Sequence, residues 1–388
     1  MEWYDHVMFD SEAKNISDTV DAFLRDEAMP VIAGFEERAE FPHALVSIMA
    51  KIGLFGVTIP EAYGGSGFNS KIASLIARKI AYVSGGLHLI WTANSSLAAF
   101  PIMYAGNEIQ KKNILPLLAS GEKLGCFGLT EAEAGSDAAS LRMRATKQKR
   151  GWVLNGSKIF ITNAYNASVG VLFARTGSGR HDISAFIIES HTPGFADIVG
   201  VTVNKIEKHI LACSDFCEIV CDNVVLPESA LLGEENKGFK IAMATLDGGR
   251  INIGAQALGI AGRIFDEALV YTKDRRQFGK SIWDNQSVQF HFAEWHASLL
   301  SAWFTVLSAS TIRDEGNIAI TPIASAAKLQ ATESAYAVAT RAARYLGGMA
   351  VTKDIRIFLR VFETFSTTIY EGSSEMQKKV IARELKHQ

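Results

Sequence analysis

Residues 152–162, WVLNGSKIFIT, mark a change of period in the chain. Their β-branched and aromatic residues lie in two short runs around Asn155-Gly156, a dipeptide that tolerates the positive φ of a tight turn, so the pattern predicts a β-hairpin. Further strand-like runs follow at 169–176 (VGVLFART), 183–190 (ISAFIIES) and 216–227 (FCEIVCDNVVLP), the first two joined by GSGRHD at 177–182. Residues 123–232 therefore read as a small β domain.

On either side of this region the apolar spacing is helical. Residues 1–122 carry helix-spaced runs at 17–41 and 43–56, broken by the turn-rich PEAYGGSGFNS at 60–70. From 233 to 388 the helical period returns. Leu258, Ala261, Phe265 and Ala268 form one stripe with Ile260 and Ile264 beside it, and Phe292, Trp295, Leu299 and Trp303 form another. An alanine-rich segment at 324–346 meets Gly347-Gly348, a natural C-terminal stop. A last helix begins near Ser374, where Ser374 to Gln377 fits a capping box. Four such helices make a bundle.

With 388 residues, 48% of them hydrophobic, 21% charged and a net charge of -2, the chain has the composition of a globular protein of two or three domains. Disorder and nucleic-acid binding are disfavoured. The acidic start, MEWYDHVMFDSEAKNISD, lacks the marks of a secretion or transit signal, which predicts a cytoplasmic location. Residues 85–106 carry no formal charge, but Thr92, Asn94, Ser95, Ser96 and Pro101 interrupt them, so a buried helix pair is expected and not a membrane span. Cys213, Cys217 and Cys221 are spaced by four. If all three lie on one strand they share a face, about 13 Å apart per step, too far to share a metal ion. Small, reduced, half-buried thiols and no metal site are expected.

In TTIYEGSSEMQ (367–377) a single acid, Glu371, stands between Tyr370 and Gly372. An acid just before a helix is ordinarily a solvated turn residue. Ile369 and Tyr370 would desolvate it and raise its pKa, whereas the helix N-terminus that follows would favour the anion. A base used near neutral pH needs desolvation to win. No G-x-G-x-x-G, P-loop, H-E-x-x-H or G-x-S-x-G pattern is present, and YGGSGF at 63–68 is a glycine turn. These local patterns leave the activity open.

Six segments taken together narrow it: CFGLTEAEAGSD (126–137), IFITNA (159–164), LDGGRINIGAQALGIA (246–261), DRRQFGK (274–280), YLGGMA (345–350) and IYEGSSEMQ (369–377). In this order the chain resembles the acyl-CoA dehydrogenase family, nearest to its short-chain branch, over nearly its whole length. The resemblance implies an α+β, mainly α fold, with an N-terminal helical domain (1–122), a β-barrel-like middle domain (123–232) and a C-terminal four-helix bundle (233–388). It implies FAD-dependent α,β-dehydrogenation of a short- or branched-chain acyl thioester to the 2-enoyl thioester, a reaction of fatty acid metabolism. A base removes the α-proton while the β-hydrogen leaves as hydride to flavin N5.

Residue by residue, the resemblance makes Glu371 the base. One branch of the family takes its base from the residue before the bundle arginine, and here that residue is Gly249. Phe127, Leu129, Thr130, Gly135 and Ser136 would wrap the flavin, with Ser136 also near the substrate, and Phe160, Ile161 and Thr162 would meet the ring near N5. Arg275, Gln277, Phe278, Gln286, Arg344, Gly347 and Gly348 would hold the ADP half of a neighbouring subunit's FAD, which implies a homotetramer. Ser373 and Glu375 complete the cofactor contacts, and Asp247, Arg250, Tyr370 and Gly372 line the thioester pocket. The backbone N–H of the base residue and a flavin ribityl hydroxyl would stabilise the enolate oxygen. An electron-transfer flavoprotein is the implied partner.

Several positions depart from the family pattern: Arg344 replaces a glutamine, Ala132-Glu133 a Pro-Gly pair, Ile210 and Ala212 a glycine and an arginine, and Phe362-Glu363 an Arg-Asp pair. They put in question the acyl group and whether its carrier is CoA or an acyl carrier protein. A flavin oxidase or monooxygenase on the same fold, and a non-catalytic partner subunit, are the alternatives.

Overall fold

A computed structural model of the chain describes residues 9–316 and 320–386; the first eight residues of the acidic start lie outside them. Helices α1 (Ser11–Phe23), α2 (Ile32–Glu37), α3 (His43–Lys51), α4 (Ser70–Val83), α5 (Gly85–Thr92), α6 (Ala99–Ala105) and α7 (Glu108–Ala119) come first. Asp10 caps α1 by accepting from the Ala13 N–H, and Asn107 and Gln110 form a reciprocal capping box on α7. The expected helix pair at 85–106 is instead one unbroken helical run, because a π-helical segment at Ala93–Ala98 joins α5 to α6. Pro101 has no N–H for the carbonyl four residues before it, and the widened turn lies immediately upstream. Asn94, buried in that turn, donates to the Leu118 carbonyl at 3.0 Å and accepts from the Gly125 N–H at 2.8 Å. No described helix is long and apolar enough to cross a membrane.

Strands β1 (Leu124–Gly128), β2 (Arg144–Gln148), β3 (Gly151–Ile161), β4 (Ala167–Arg175), β5 (Ile183–Glu189), β6 (Val201–Lys205), β7 (Cys217–Leu226) and β8 (Leu231–Leu232) form one sheet. Its order is β6-β7-β3-β2-β4-β5-β8, and β1 adds to β4 in parallel. The β4–β5 hairpin forms as expected around GSGRHD. The Asn155-Gly156 hairpin does not: β3 runs straight through it, and its antiparallel partner β2 is reached through Lys149-Arg150. Asn155 spends its side chain on Asn223, accepting from that residue's N–H at 2.8 Å across a bulge of β7. Gly156 serves close approach, since a Cβ there would stand 2.8 Å from the Met143 Cα.

The apolar run of β4 is buried on both faces. Val169, Val171 and Phe173 face a core shared with Ile102, Leu115 and Leu118, while Leu172 and Ala174 join Trp152, Phe186 and Phe195 in a second core. Cys217 and Cys221 share a buried face of β7, but Cys213 lies in the preceding turn, not on the strand. All four cysteines are buried and unbridged, and no metal-binding group occurs among the described residues.

The C-terminal helices are α8 (Gly238–Asp274), α9 (Gln286–Asp314), α10 (Ile320–Ala343), α11 (Ile357–Thr367) and α12 (Ser374–Leu385). A small hairpin, β9 (Arg276–Gln277) and β10 (Lys280–Ser281), separates α8 from α9. Both predicted apolar stripes are buried. Small residues set the spacing: a Cβ on Gly254 would lie 3.1 Å from Val306 of α9, and one on Gly259 would lie 2.3 Å from the Arg78 carbonyl of α4. Helix α10 stops at Ala343, earlier than its alanine-rich sequence suggests, and continues as a 3-10 stretch that Gly347 breaks at φ 56. The cap of α12 is Ser373, not Ser374, with its side chain accepting from the Met376 N–H.

The chain separates into two compact units: Met1–Ile32, Ser70–His88 and Arg250–Gln388 form one, and Ala33–Asn69 with Leu89–Gly249 the other. The second holds the sheet. The first holds α9 to α12 and most of α8.

Candidate active site

Glu371 sits in the turn between α11 and α12. Its backbone is left-handed at φ 52, and Gly372 follows at φ 92. A non-glycine residue in this region costs about 1 kcal/mol, so the turn must be fixed by its surroundings. Tyr370 donates from its N–H to the Ser366 carbonyl at 3.3 Å, and Ser374 donates to the Thr368 carbonyl at 2.9 Å. From α10 comes Lys328, fully buried, whose Nζ donates to the Thr367 carbonyl at 2.9 Å and to the Gly372 carbonyl at 2.8 Å. From α12, Gln377 Nε2 donates to the same Gly372 carbonyl at 2.8 Å. At φ 92 the position favours glycine, and a Cβ there would also press within 2.7 Å of that amide and displace it from the carbonyl. Glu333 of α10 meets the Ser374 hydroxyl, and the Tyr370 hydroxyl donates to Gln256 Oε1 at 2.8 Å. Gln256, also fully buried, donates onward to the Gly85 carbonyl at 3.0 Å.

The Glu371 residue is half-buried as a whole, but its Oε2 is sealed from solvent and has no hydrogen-bond partner among the described residues. Desolvation pushes the carboxyl up to about 7, against the opposing pull of Lys328 and Arg250. Of the two local effects weighed from the sequence, desolvation wins. The same burial brings the Lys328 ammonium down to about 8, with Glu371 and Glu333 opposing that fall and Arg250 adding to it. The turn thus holds an acid and a base whose proton affinities both lie near neutrality.

In the sheet-bearing unit, Phe127, Leu129 and Thr130 lead from β1 into a tight turn in which the Glu131 and Ala134 backbones exchange hydrogen bonds at 3.2 and 3.1 Å. Ala132 and Glu133 form its tip, and the Glu133 carboxylate pairs with Arg142. Beneath the turn lies an ion pair that sequence reading missed. Glu131 accepts from Lys158 Nζ at 2.8 Å, from the Arg142 N–H at 2.5 Å and from the Met143 N–H at 2.9 Å. Lys158 is fully buried and also donates to the Leu129 carbonyl at 3.1 Å. Gly135 and Ser136 are exposed at the end of this loop.

Phe160 occupies a bulge of β3 at φ 65, which turns its ring outward, 51% exposed and stacked on Phe216 with 5.0 Å between ring centres. Ile161 is buried and Thr162 half-buried. Buried Asn163 donates to the Ile90 carbonyl at 2.9 Å.

The residues assigned to the ADP half are exposed. Gln277 and Phe278 belong to the β9–β10 hairpin, which Arg275 directly precedes; its tip residues Phe278 and Gly279 both have positive φ, and the Phe278 ring stands wholly in solvent. Gln286 opens α9, and Arg344, Gly347 and Gly348 follow α10, with no atom of the described residues within 4 Å of a Cβ built on either glycine. Ser373 caps α12. Glu375 is exposed, and bonds at that helix start hold its carboxyl below the usual range. Asp247 and Arg250 are buried on α8, Arg250 close enough to Glu371 to oppose its rise.

Of the residues singled out by sequence, the structure gathers Glu371, Tyr370, Gly372 and Arg250. It adds Lys328, which no motif had marked, and gives Gln377 and Gln256, quoted as parts of the segments at 369–377 and 246–261, hydrogen-bonding roles that the sequence had not assigned. For Lys328 the available signal was a lysine inside the otherwise uncharged run ASAAKLQA.

Comparison with known proteins places family models end to end along the chain: acyl-CoA dehydrogenase N-terminal domain over 10–122, middle domain over 126–224 and C-terminal domain over 236–386. An acyl-CoA dehydrogenase of Bacillus subtilis is 41% identical over 94% of this chain and 95% of its own length. A short-chain specific acyl-CoA dehydrogenase of Clostridium acetobutylicum is 38% identical over 96% of this chain and 97% of its own. Among solved structures, butyryl-CoA dehydrogenase from Megasphaera elsdenii superposes with a TM-score of 0.93 at 35% identity, covering 97% of this chain and 98% of that one. A chain from the structure of an electron transferring flavoprotein of Acidaminococcus fermentans has the same four values. A glutaryl-CoA dehydrogenase from Mycobacterium smegmatis in complex with FADH2 gives a TM-score of 0.91 at 30% identity, covering 99% of this chain and 97% of that one.

Proposed function

As the chain belongs to the acyl-CoA dehydrogenase family, flavin-dependent oxidoreductases acting on CH–CH bonds, we propose that it dehydrogenates a short- or branched-chain acyl-CoA with Glu371 as base. The observation that carries this reading is the Glu371 carboxyl, with one oxygen sealed from water and a proton affinity near neutrality. A carboxylate tuned in this way takes a proton at physiological pH and holds it. Relatives named short-chain specific and butyryl-CoA dehydrogenase support the chain length.

FAD is the cofactor the family implies, and the residues present suit it. The Gly135-Ser136 loop end and the outward Phe160 ring are accessible, and the Gly347-Gly348 backbone is open to close approach. Arg275 and Arg344 supply exposed cations for a pyrophosphate, so the Arg344 departure adds charge where an anion is expected. When bound, FAD supplies the hydride acceptor. Glu371 removes the thioester α-proton, and its own N–H, held in the left-handed turn, is the protein's donor to the enolate oxygen. Tyr370 and Gly372 fix that turn. The wholly exposed Phe278 at a hairpin tip suits burial against a second copy, in keeping with a homotetramer that shares its flavin sites. An electron-transfer flavoprotein is the proposed acceptor partner, in line with one structural neighbour.

The purified protein should be yellow, and anaerobic addition of butyryl-CoA or a branched acyl-CoA should bleach it. A colourless protein that FAD cannot reconstitute would refute the proposal, and rapid reoxidation by air would point to an oxidase.

A further inference from the structure

We propose that Lys328 is a positioning residue for Glu371: its ammonium, with the Gln377 amide, clamps both ends of the turn that carries the carboxylate. The inference rests on the reading of Glu371 as the base and adds how that base is held.

One ammonium, at 2.9 and 2.8 Å, joins the carbonyls of Thr367 and Gly372, which bracket residues 368–371. Gln377 approaches the Gly372 carbonyl from the opposite helix at 2.8 Å and the Glu371 carbonyl at 3.4 Å. A site concerned only with packing would be apolar, as its α10 neighbours Ala324, Ala327 and Ala331 are, each fully buried. A fully buried cation is kept only where its donors are used. Here two of three are spent on the backbone of a single turn.

The clamp has two consequences. It holds Glu371 at its positive φ, and with it the direction of the Glu371 N–H and side chain. It also keeps a positive charge beside the carboxylate. Among the described residues, Arg250 of α8 and Glu333 of α10 act on this pair, and Glu363 of α11 acts on the adjacent Tyr370. Removing the Lys328 charge leaves Arg250 as the cation acting on Glu371.

The test uses the flavin-loaded protein and its Lys328→Met and Lys328→Gln variants. Single-turnover bleaching by butyryl-CoA is followed between about pH 6 and pH 9, together with thioester affinity. In Lys328→Met the acid limb should move up by about one unit and bleaching at pH 7 should fall at least about fivefold, with affinity within about threefold of wild type. Lys328→Gln, which retains amide donors without charge, should show the same shifted limb but a higher plateau. Amide hydrogen exchange at 368–373 should speed up in Lys328→Met. If either lysine variant fails to fold, Gln377→Met should speed exchange at the same turn and lower the plateau with the limb unmoved. An unmoved limb in Lys328→Met, or unchanged exchange at the turn, overturns the clamp. Failure of the wild-type protein to bleach instead overturns the dehydrogenase reading, and the exchange comparison still decides the clamp.

Discussion

Replacing Glu371 by glutamine should make the protein more stable and inactive at once, and the gain should depend on pH in a calculable way. Burial raises the carboxyl from 4.5 to about 7, so the folded state holds its proton where the unfolded chain has released it. Below pH 4.5 the group is neutral in both states and costs nothing. As pH rises from 4.5 toward 7, the unfolded chain binds fewer protons than the folded one and stability falls; above 7 the loss is complete. The full cost is 2.5 units at about 1.36 kcal/mol each, or about 3 kcal/mol.

Between pH 5 and pH 8 the change is about 2.5 kcal/mol, and the weaker proton affinity of Lys328 in the variant adds to it, since a lysine that deprotonates more readily when folded makes the variant gain stability over the same range. Urea unfolding of wild type and Glu371→Gln at those two pH values reads the difference directly. The variant should gain at least about 2.5 kcal/mol more at pH 8 than at pH 5. A difference independent of pH, or a variant less stable at pH 8, would show that the carboxylate is not desolvated, and the reasoning from its burial would fall.

Other outcomes follow from the same structure. The rate of flavin bleaching by a thioester should rise about tenfold from pH 6 to pH 8, since a group titrating near 7 is about one-tenth ionised at the lower value and nine-tenths at the higher. A flat profile would contradict it. Lys158→Met leaves the Glu131 carboxylate buried without its cation and should cost about 3–5 kcal/mol in urea unfolding, whereas the double variant with Glu131→Gln should recover part of that loss. A cost below about 1 kcal/mol would mean the pair does not hold the loop. Phe278→Asp, at a wholly exposed position, should leave helical content unchanged but reduce flavin retention and shift sedimentation toward smaller species. Unchanged assembly and retention would remove the hairpin tip from any interface.

Much of the architecture was legible in the sequence because apolar period reports burial directly. The stripes around Leu258 and Phe292 are buried as their spacing required, and β4 and β5 pair across their polar loop. The errors came where a local rule met a tertiary demand. Asn155-Gly156 carries the chemistry of a tight turn, yet the Asn155 side chain is taken up by Asn223 and Gly156 lets β3 pass close to Met143. Ser374 looked like a cap, but its hydroxyl goes to Glu333 and Ser373 takes the capping role. Around Glu371 the sequence pointed to the acid and to the question of its desolvation. What surrounds it, Lys328 from 43 positions upstream and Gln256 further back still, is assembled by helix packing and leaves no local pattern. The same is true of Glu131 and Lys158, 27 positions apart and joined only across the sheet.

Anaerobic mixing of butyryl-CoA with the flavin-loaded wild type and with Glu371→Gln, at about pH 8 where the base is ionised, separates the possibilities most sharply. The wild-type flavin should bleach in a single phase, and the variant should bind the thioester yet bleach at least about a thousandfold more slowly. Bleaching of the variant within about tenfold of wild type would contradict the assignment of Glu371 as the base.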